Sequence, residues 1–315
     1  MYPHSDEVTR VTSIGAGPIG GGWTAHFLAR GYDVTAYIHS EAEKPALMSV
    51  INTAWISLTA LGLAPGASLD RLRVTTDLAD AVGQAQFIQE SAPERLDIKQ
   101  ALYQRLGALV ARDVVIASST SGLMMTQIQA LCPTPGRTVI GHPFNPPYLL
   151  PLVEVVGGRA TDQAAVDWAV AFYKVAGKAP LAMKKEIPGF VATRLQEALW
   201  REALHMVANG EATPEDIDNA LMNGPAARLM VQGQCMAFHV ACGEGGMATN
   251  LDQFGPALKW PWTRLEAPEL TQELRDRMVD GCNDIAAGRH FEELAAKRDR
   301  EIVAVTRALR EARSG

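Results

Sequence analysis

The sequence is poor in several features that mark common classes of protein. It has 4 cysteines in 315 residues, with no C-x-x-C spacing and no histidine pairs at metal-ligand intervals. We therefore expect reduced, buried thiols and no bound metal. No block of basic residues is longer than Lys184-Lys185, and the net charge is −6. Both observations argue against nucleic acid as a partner.

Long apolar runs are also missing. No run approaches the roughly 18 apolar residues that span a bilayer, and the segment from Met1 to Glu7 has no basic stretch followed by an apolar core. We therefore expect no membrane span and a cytoplasmic protein. The length and the hydrophobic content of 47% allow a sizeable core and suggest two domains or one large one.

The N-terminal region has the order strand, glycine turn, helix. A β-rich run from Val8 to Ile14 leads into the glycine turn, and helical spacing begins at Trp23. Glycines at this spacing allow a tight turn, a close approach to a pyrophosphate and close packing of helix on strand, while the helix N-terminus offers N–H donors. We therefore predict a dinucleotide site that includes Gly15, Gly17, Pro18, Ile19 and Gly20.

Short strands and helices alternate up to residue 186, which is typical of a parallel, doubly wound sheet. Beyond that point only helical patterns occur, among them Ala192 to Asn209 and a terminal helix from Phe291 to Arg313. We predict an α/β protein with a Rossmann-type dinucleotide-binding domain over residues 1–186. An all-helical domain for substrate binding and dimerisation should follow over residues 187–315.

The usual acidic residue of an NAD site is absent. That residue stands at the end of the second strand, roughly 20 residues beyond the glycine turn, and accepts from the ribose hydroxyls. Here the place holds Ile38. Without a carboxylate, the repulsion that excludes a 2′-phosphate is absent, and His39, Ser40 or Lys44 could donate to one. Alternatively, Ile38 is strand core and the ribose is held elsewhere, so NAD and NADP both remain open.

The stretch from Gly141 to Pro147 and the apolar run after it carry the groups best suited to proton transfer. Its prolines exclude a helix, so we predict His142 on a stiff turn. Glu154 could hold the imidazole in one tautomer and stabilise the imidazolium. Ser121 and Asn145 could hold an alcohol or carbonyl oxygen. Taken alone, His142 would more often be a structural histidine, and Ser121 a hydroxyl that caps its own turn.

These residues identify a resemblance to the 3-hydroxyacyl-CoA dehydrogenase superfamily, and within it to the carnitine dehydrogenases. The glycine loop and the His142/Glu154 pair resemble the whole superfamily, whereas residues 89–96 and 254–258 resemble the carnitine branch. Similar stretches cover nearly the whole chain. The resemblance implies that His142 is the general acid/base, that Glu154 orients it, and that Ser121 and Asn145 lie near the reacting oxygen.

The resemblance also implies a cofactor, a substrate and a partner. Glu94 and Lys99, which otherwise look like a solvated helix-start pair, would line the nicotinamide ribose of NAD. The substrate would be carnitine or a similar short cationic 3-hydroxy acid, and the chain would form a homodimer through its helical domain. Implied or candidate substrate contacts are Phe144, Gly189, Val191, Thr193, Phe238 and Phe254. A 3-hydroxyacyl-CoA or L-gulonate dehydrogenase, or a crystallin-like binding protein without turnover, stays open.

Several positions depart from the pattern. Thr193 stands where relatives commonly carry Asn or Asp, and Leu229, Val231 and Cys235 occupy places where aromatic residues are expected. Aromatic faces attract quaternary ammonium groups. The aromatic residues that remain are Phe144, Phe238, Phe254, Trp260 and Trp262, and core packing is the alternative role for each of them.

Overall fold

The computed structural model describes residues 2–242, 244, 246–256, 260, 263–264, 266, 269 and 271–314. The strands are β1 (Arg10–Ile14), β2 (Asp33–Tyr37), β3 (Leu72–Thr75), β4 (Phe87–Glu90), β5 (Val115–Ser118), β6 (Thr138–Pro143), β7 (Leu152–Gly157) and β8 (Ala179–Ala182). The first helices are α1 (Pro18–Ala29), α2 (Lys44–Leu61), α3 (Leu78–Val82), α4 (Leu96–Leu109), α5 (Met125–Ile128) and α6 (Gln163–Val175). They are followed by α7 (Ala192–Ala208), α8 (Pro214–Asn223), α9 (Pro225–Ala241), α10 (Gly246–Phe254), α11 (Gln272–Ala286) and α12 (Phe291–Ser314).

The strands form a single sheet in the order β3-β2-β1-β4-β5-β6-β7-β8. Strands β1 to β6 are parallel, as the alternating pattern predicts, and the Rossmann-type α/β fold is confirmed. The last two strands differ, because β7 runs antiparallel to β6 and β8 runs parallel to β7. The connection between β6 and β7 is a short proline-rich turn, which is too short for the crossover that a parallel pair requires.

Helices cover both faces of the sheet. On one face α1, α2 and α6 bury an apolar cluster that includes Trp23, Phe27 and Phe172. On the other face α4 and α5 bury a second cluster that includes Tyr103 and Ile128. Because strands with apolar cover on both sides are fully enclosed, polar side chains on the inner strands need specific partners.

The position of His142 differs from the sequence prediction. His142 does not lie on a turn but within β6, one residue before Pro143 ends that strand. The apolar run after it is also strand only in part. The N–H groups of Leu149 and Leu150 both donate to the Pro146 carbonyl at 3.0 Å, so the chain turns there and β7 begins later.

The chain divides into two compact units, residues 1–191 with 295–315, and residues 192–294. The sequence places all of the C-terminal helix in the second domain, but most of α12 belongs to the first unit. Its Asp299 accepts a hydrogen bond from the Tyr148 hydroxyl at 2.5 Å, its Val303 is buried in the first cluster, and Arg310 donates to the Leu61 carbonyl at 3.3 Å. A charged-apolar repeat alone does not show which surface a helix will cover.

The second unit contains only helices and connecting segments among its described residues. Within α9 the helical backbone is interrupted at Gly233, whose φ of 74° is in the left-handed region. In the described part of the chain, no helix is long and apolar enough to cross a membrane.

Candidate active site

The antiparallel pairing of β6 with β7 brings His142 directly opposite Glu154. The His142 Nδ1 atom lies 2.9 Å from Oε2 of Glu154, and both side chains are buried. Because a carboxylate accepts at Nδ1, that nitrogen carries the proton and Nε2 is left as an acceptor. The pair can therefore take a proton from a bound group and stabilise the charge that results.

The second oxygen of Glu154 is held from the end of the first unit. Its Oε1 atom accepts the backbone N–H of Val191 at 2.8 Å. Just before this residue the chain makes a tight bend in which Gly189 and Phe190 both have positive φ, 69° and 50°. A positive φ is unusual for a phenylalanine. The bend seats the fully buried Phe190 ring 5.4 Å from the imidazole of His142, on which the Phe144 ring also packs at 5.2 Å.

Ser121 and Asn145 follow the carboxyl ends of the neighbouring strands β5 and β6, and both side chains are exposed. The fold therefore brings both residues to the sheet edge at which His142 lies. The backbone of Ser121 is held by Glu94, because its N–H donates to Oε1 of Glu94 at 3.0 Å. Their predicted roles toward a substrate oxygen remain predictions.

The glycine loop has the form that a dinucleotide needs. A Cβ on Gly15, whose φ is 112°, would lie 2.6 Å from the Ser91 carbonyl oxygen, and one on Gly20 would collide with Gly15 itself. Gly17, by contrast, is exposed with open space around it, and it precedes α1 without a side-chain cap. Pro18 begins α1 and has no N–H, so the N–H groups of Ile19 and Gly20 are the first that the helix can offer to a pyrophosphate.

The end of β2 has a carboxylate nearby, although the usual acidic residue of an NAD site is missing. Ile38 is fully buried in the first apolar cluster, as the core alternative predicts, whereas His39 and Ser40 are exposed. The N–H of His39 donates to Oε2 of Glu43 at 3.0 Å. A carboxylate therefore does stand just beyond this strand, although it comes from a later position than the usual one.

A buried charge network lies under the turn that carries Ser121. The ammonium of Lys99 donates to Oε1 of Glu90 at 2.6 Å, and the Ser118 hydroxyl donates to Oε2 of the same carboxylate at 2.6 Å. Lys99 and Glu90 are almost fully buried, so Lys99 is not the solvated residue that its helix-start position suggests. Lys99 also lies 3.7 Å from Glu94.

Glu94 connects this network to the exposed turn. Its Oε1 atom accepts from the Thr120 hydroxyl and from the N–H groups of Ser121 and Gly122. Burial alone would raise the pKa of Glu94, but the hydrogen bond from Thr120, the Lys99 charge and the two N–H donors outweigh it and lower the pKa. Glu94 is therefore held as a carboxylate.

The sequence analysis did not single out Gln89 and Glu90, and Gln89 contacts β6, the strand that carries His142. Gln89 donates from Nε2 to the Ser119 hydroxyl at 2.8 Å and to the Gly141 carbonyl at 3.2 Å, and it accepts from the Tyr173 hydroxyl at 2.6 Å. Together with Glu90, it forms a polar pair at the end of an otherwise apolar strand. That pair was the available signal, because buried polar groups on an inner strand must be satisfied.

Lys178 is a third residue that the sequence analysis did not single out, because no local pattern indicates that its side chain is buried. Its Nζ atom donates to the carbonyls of Pro147 and Leu150 and lies 5.0 Å from the centre of the Trp23 ring. Burial lowers its pKa to about 7. Prolines leave the turn after Asn145 short of N–H donors, and Lys178 supplies donors to its carbonyls instead.

The predicted substrate contacts fall in both units. The first unit contains three of them, near the His142–Glu154 pair: Phe144, Gly189 and Val191. Thr193, Phe238 and Phe254 belong to the second, in which the two phenylalanines are exposed. Of the other positions singled out in the sequence, Leu229 is half-buried and Cys235 and Trp260 are exposed, while Trp262 and the side chain of Val231 lie outside the described residues. Their roles stay predictions.

A dinucleotide loop and a histidine–carboxylate pair at one edge of a Rossmann-type sheet are the parts that a nicotinamide-dependent dehydrogenase needs. Residues 10–187 match the NAD-binding domain of 3-hydroxyacyl-CoA dehydrogenase, and residues 189–280 match the C-terminal domain of the same family. The chain belongs to the 3-hydroxyacyl-CoA dehydrogenase family.

The relatives of this chain include L-carnitine dehydrogenases. The one from Streptomyces coelicolor is 58% identical over 303 residues, which are 96% of this chain and 95% of that protein. The one from Pseudomonas aeruginosa is 47% identical over 308 residues, 98% and 96% of the two chains. Among solved structures, an NAD⁺-dependent 5-formyl-3-hydroxy-2-methylpyridine 4-carboxylic acid 5-dehydrogenase has a TM-score of 0.81 and 30% identity, with 96% of this chain and 99% of that chain covered.

The Glu90–Lys99 pair generates a stability prediction. Replacing Lys99 by Met leaves the Glu90 carboxylate buried without its ammonium, which should lower the free energy of unfolding by about 3–5 kcal/mol. The Lys99→Met/Glu90→Gln double variant should recover a large part of that loss, because the buried charge is removed as well. Urea unfolding measures both variants, with the exposed Lys44→Met as control. Equal stability of Lys99→Met and the wild type would contradict the importance of the pair.

Proposed function

We propose that this protein is an L-carnitine 3-dehydrogenase, which oxidises the 3-hydroxyl of L-carnitine to the ketone with NAD⁺ as hydride acceptor. The observation that carries the proposal is the buried His142–Glu154 pair, in which Nδ1 lies 2.9 Å from the carboxylate. A neutral imidazole that donates from Nδ1 can accept a proton at Nε2. The names of the similar proteins support the choice of carnitine.

The proposed chemistry divides between the cofactor and the side chains. Bound NAD⁺ supplies an acceptor for the hydride that leaves carbon 3 of the substrate. Nε2 of His142 takes the proton of the hydroxyl, and Glu154 stabilises the imidazolium that forms. Ser121 and Asn145 hold the reacting oxygen. A positioned acid/base group of this kind contributes roughly 10²–10⁴ in rate.

NAD rather than NADP is the proposed cofactor. The residues that would hold it are the glycine loop from Gly15 to Gly20, which includes the first N–H groups of α1, and Glu94 on the nicotinamide side. The resemblance implies a direct contact from Lys99, but its ammonium is engaged with Glu90, so we infer that it acts through Glu94. An NAD-linked oxidation of a small metabolite also suits the cytoplasm, the location that we infer for this protein.

The proposed substrate is a small cation with a carboxylate. Its quaternary ammonium would be recognised by aromatic faces, for which Phe144, Phe238 and Phe254 are the candidates. The exposure of Phe238 and Phe254 within their unit supports this role, because a ligand or a partner can reach them. A coenzyme A thioester is the rival substrate class, since it is the substrate for which the family is named.

The function is tested by a matrix of initial rates, read from NADH or NADPH absorbance. NAD and NADP are each combined with L-carnitine, 3-hydroxybutyrate, L-gulonate and 3-hydroxybutyryl-CoA. We expect the highest kcat/KM with L-carnitine and NAD. The His142→Ala variant should be nearly inactive in that assay while its circular dichroism matches the wild type. A higher kcat/KM with the thioester, or near-normal turnover by His142→Ala, would overturn the assignment.

We also propose that the protein is a homodimer through its second unit. Helix α7 exposes Leu195 and Leu199, four residues apart and therefore on one face, with Trp200 beside them. Such an apolar stripe on a soluble enzyme suits burial against a second copy.

Light scattering measures the proposed assembly. The wild type should have the mass of two chains, and the Leu195→Glu/Leu199→Glu variant should have a lower mass because two carboxylates would be buried. The control is Ile56→Glu, since Ile56 is an equally exposed apolar residue of the first unit. A monomeric wild type would contradict the proposal.

A further inference from the structure

The bend after β2 shows how this chain can discriminate between cofactors although the usual acid is missing. Ile38 is fully buried and cannot reach a ribose. Beyond it the chain makes one turn, closed by the N–H of Glu43 on the Ser40 carbonyl at 3.0 Å. This turn folds the Glu43 side chain back, so that its Oε2 atom accepts the N–H of His39 at 3.0 Å.

The same end of β2 is joined to the glycine loop. The N–H of Gly15 donates to the Tyr37 carbonyl at 2.9 Å, and Tyr37 is the last residue of the strand. The Glu43 carboxylate therefore stands one residue past Ile38, at the sheet edge where a dinucleotide places its adenosine ribose. It lies close to the site of the missing acid, which it reaches from five positions later in the chain.

The charges around this turn favour a hydroxyl over a phosphate. A 2′-phosphate needs hydrogen-bond donors. The N–H of His39, just beyond the strand, already donates to Glu43. Glu41 adds a second carboxylate, which is exposed, whereas Lys44 is the neighbouring cation. A carboxylate can accept from a ribose hydroxyl, and it repels a phosphate dianion.

We propose that Glu43 is the residue that selects NAD over NADP in this protein, in place of the acid that Ile38 replaces. It accepts a hydrogen bond from the 2′-hydroxyl of NAD and repels the 2′-phosphate of NADP. The inference rests on the proposed cofactor but not on the proposed substrate.

The test is a titration of the wild type and two variants with NADH and NADPH in the absence of substrate, read from the fluorescence of the bound nicotinamide. Glu43→Gln keeps an acceptor for His39 but removes the charge. Glu41→Gln removes a neighbouring charge that makes no such bond.

We expect the wild type to bind NADH at least about tenfold more tightly than NADPH. Glu43→Gln should reduce that ratio by about tenfold, mainly through tighter binding of NADPH, and Glu41→Gln should change it by less than about twofold.

Three results would overturn the inference. They are a wild type that prefers NADPH, a ratio that Glu43→Gln leaves unchanged, and an equal effect of Glu41→Gln, which would indicate general surface charge instead of a specific contact. Because no substrate is present, a failure of carnitine oxidation does not affect this test. Absence of binding by both dinucleotides would contradict the proposed cofactor site itself, and this inference with it.

Discussion

The hydrogen bond between His142 and Glu154 depends on the reversal of chain direction between β6 and β7. In a sheet of parallel strands, two residues 12 positions apart could not pair, because a crossover would have to intervene. The proline-rich turn provides the short connection. Lys178 holds that turn by its carbonyls, and Val191 occupies the other oxygen of Glu154. Both oxygens of the buried Glu154 carboxylate thereby have a partner, which a low-dielectric site requires.

A second set of contacts connects the chemistry to the cofactor. Glu90 and Lys99 form the buried base of a network whose exposed end is Glu94, and Glu94 holds the backbone of the Ser121 turn. A shift in this network would move both the groups expected at the nicotinamide and a group expected at the reacting oxygen. Preorganisation of this kind removes the need for rearrangement during the reaction.

The sequence was informative where a local pattern has one physical meaning. The spacing of Gly15, Gly17 and Gly20 predicts the turn and its place between strand and helix, and both are confirmed. The position of His142 was predicted wrongly as a turn, because prolines exclude helices but do not exclude the end of a strand.

Contacts between distant segments could not be predicted from sequence. The packing of α12 on the first unit depends on Tyr148 and Asp299, which lie 151 positions apart. The carboxylate of Glu43 is positioned by a single turn, and no residue pattern predicts that this turn forms. Lys178 likewise acts through carbonyls that only the folded chain brings to it.

In the proposed oxidation of L-carnitine, His142 and Glu154 act as one unit. The most direct measurement is kcat for the wild type, His142→Ala, Glu154→Gln and the double variant, because a double-mutant cycle isolates the interaction between two residues. We expect that Glu154→Gln lowers kcat substantially and that the double variant is no slower than His142→Ala alone. Independent, multiplying effects of the two substitutions would contradict it.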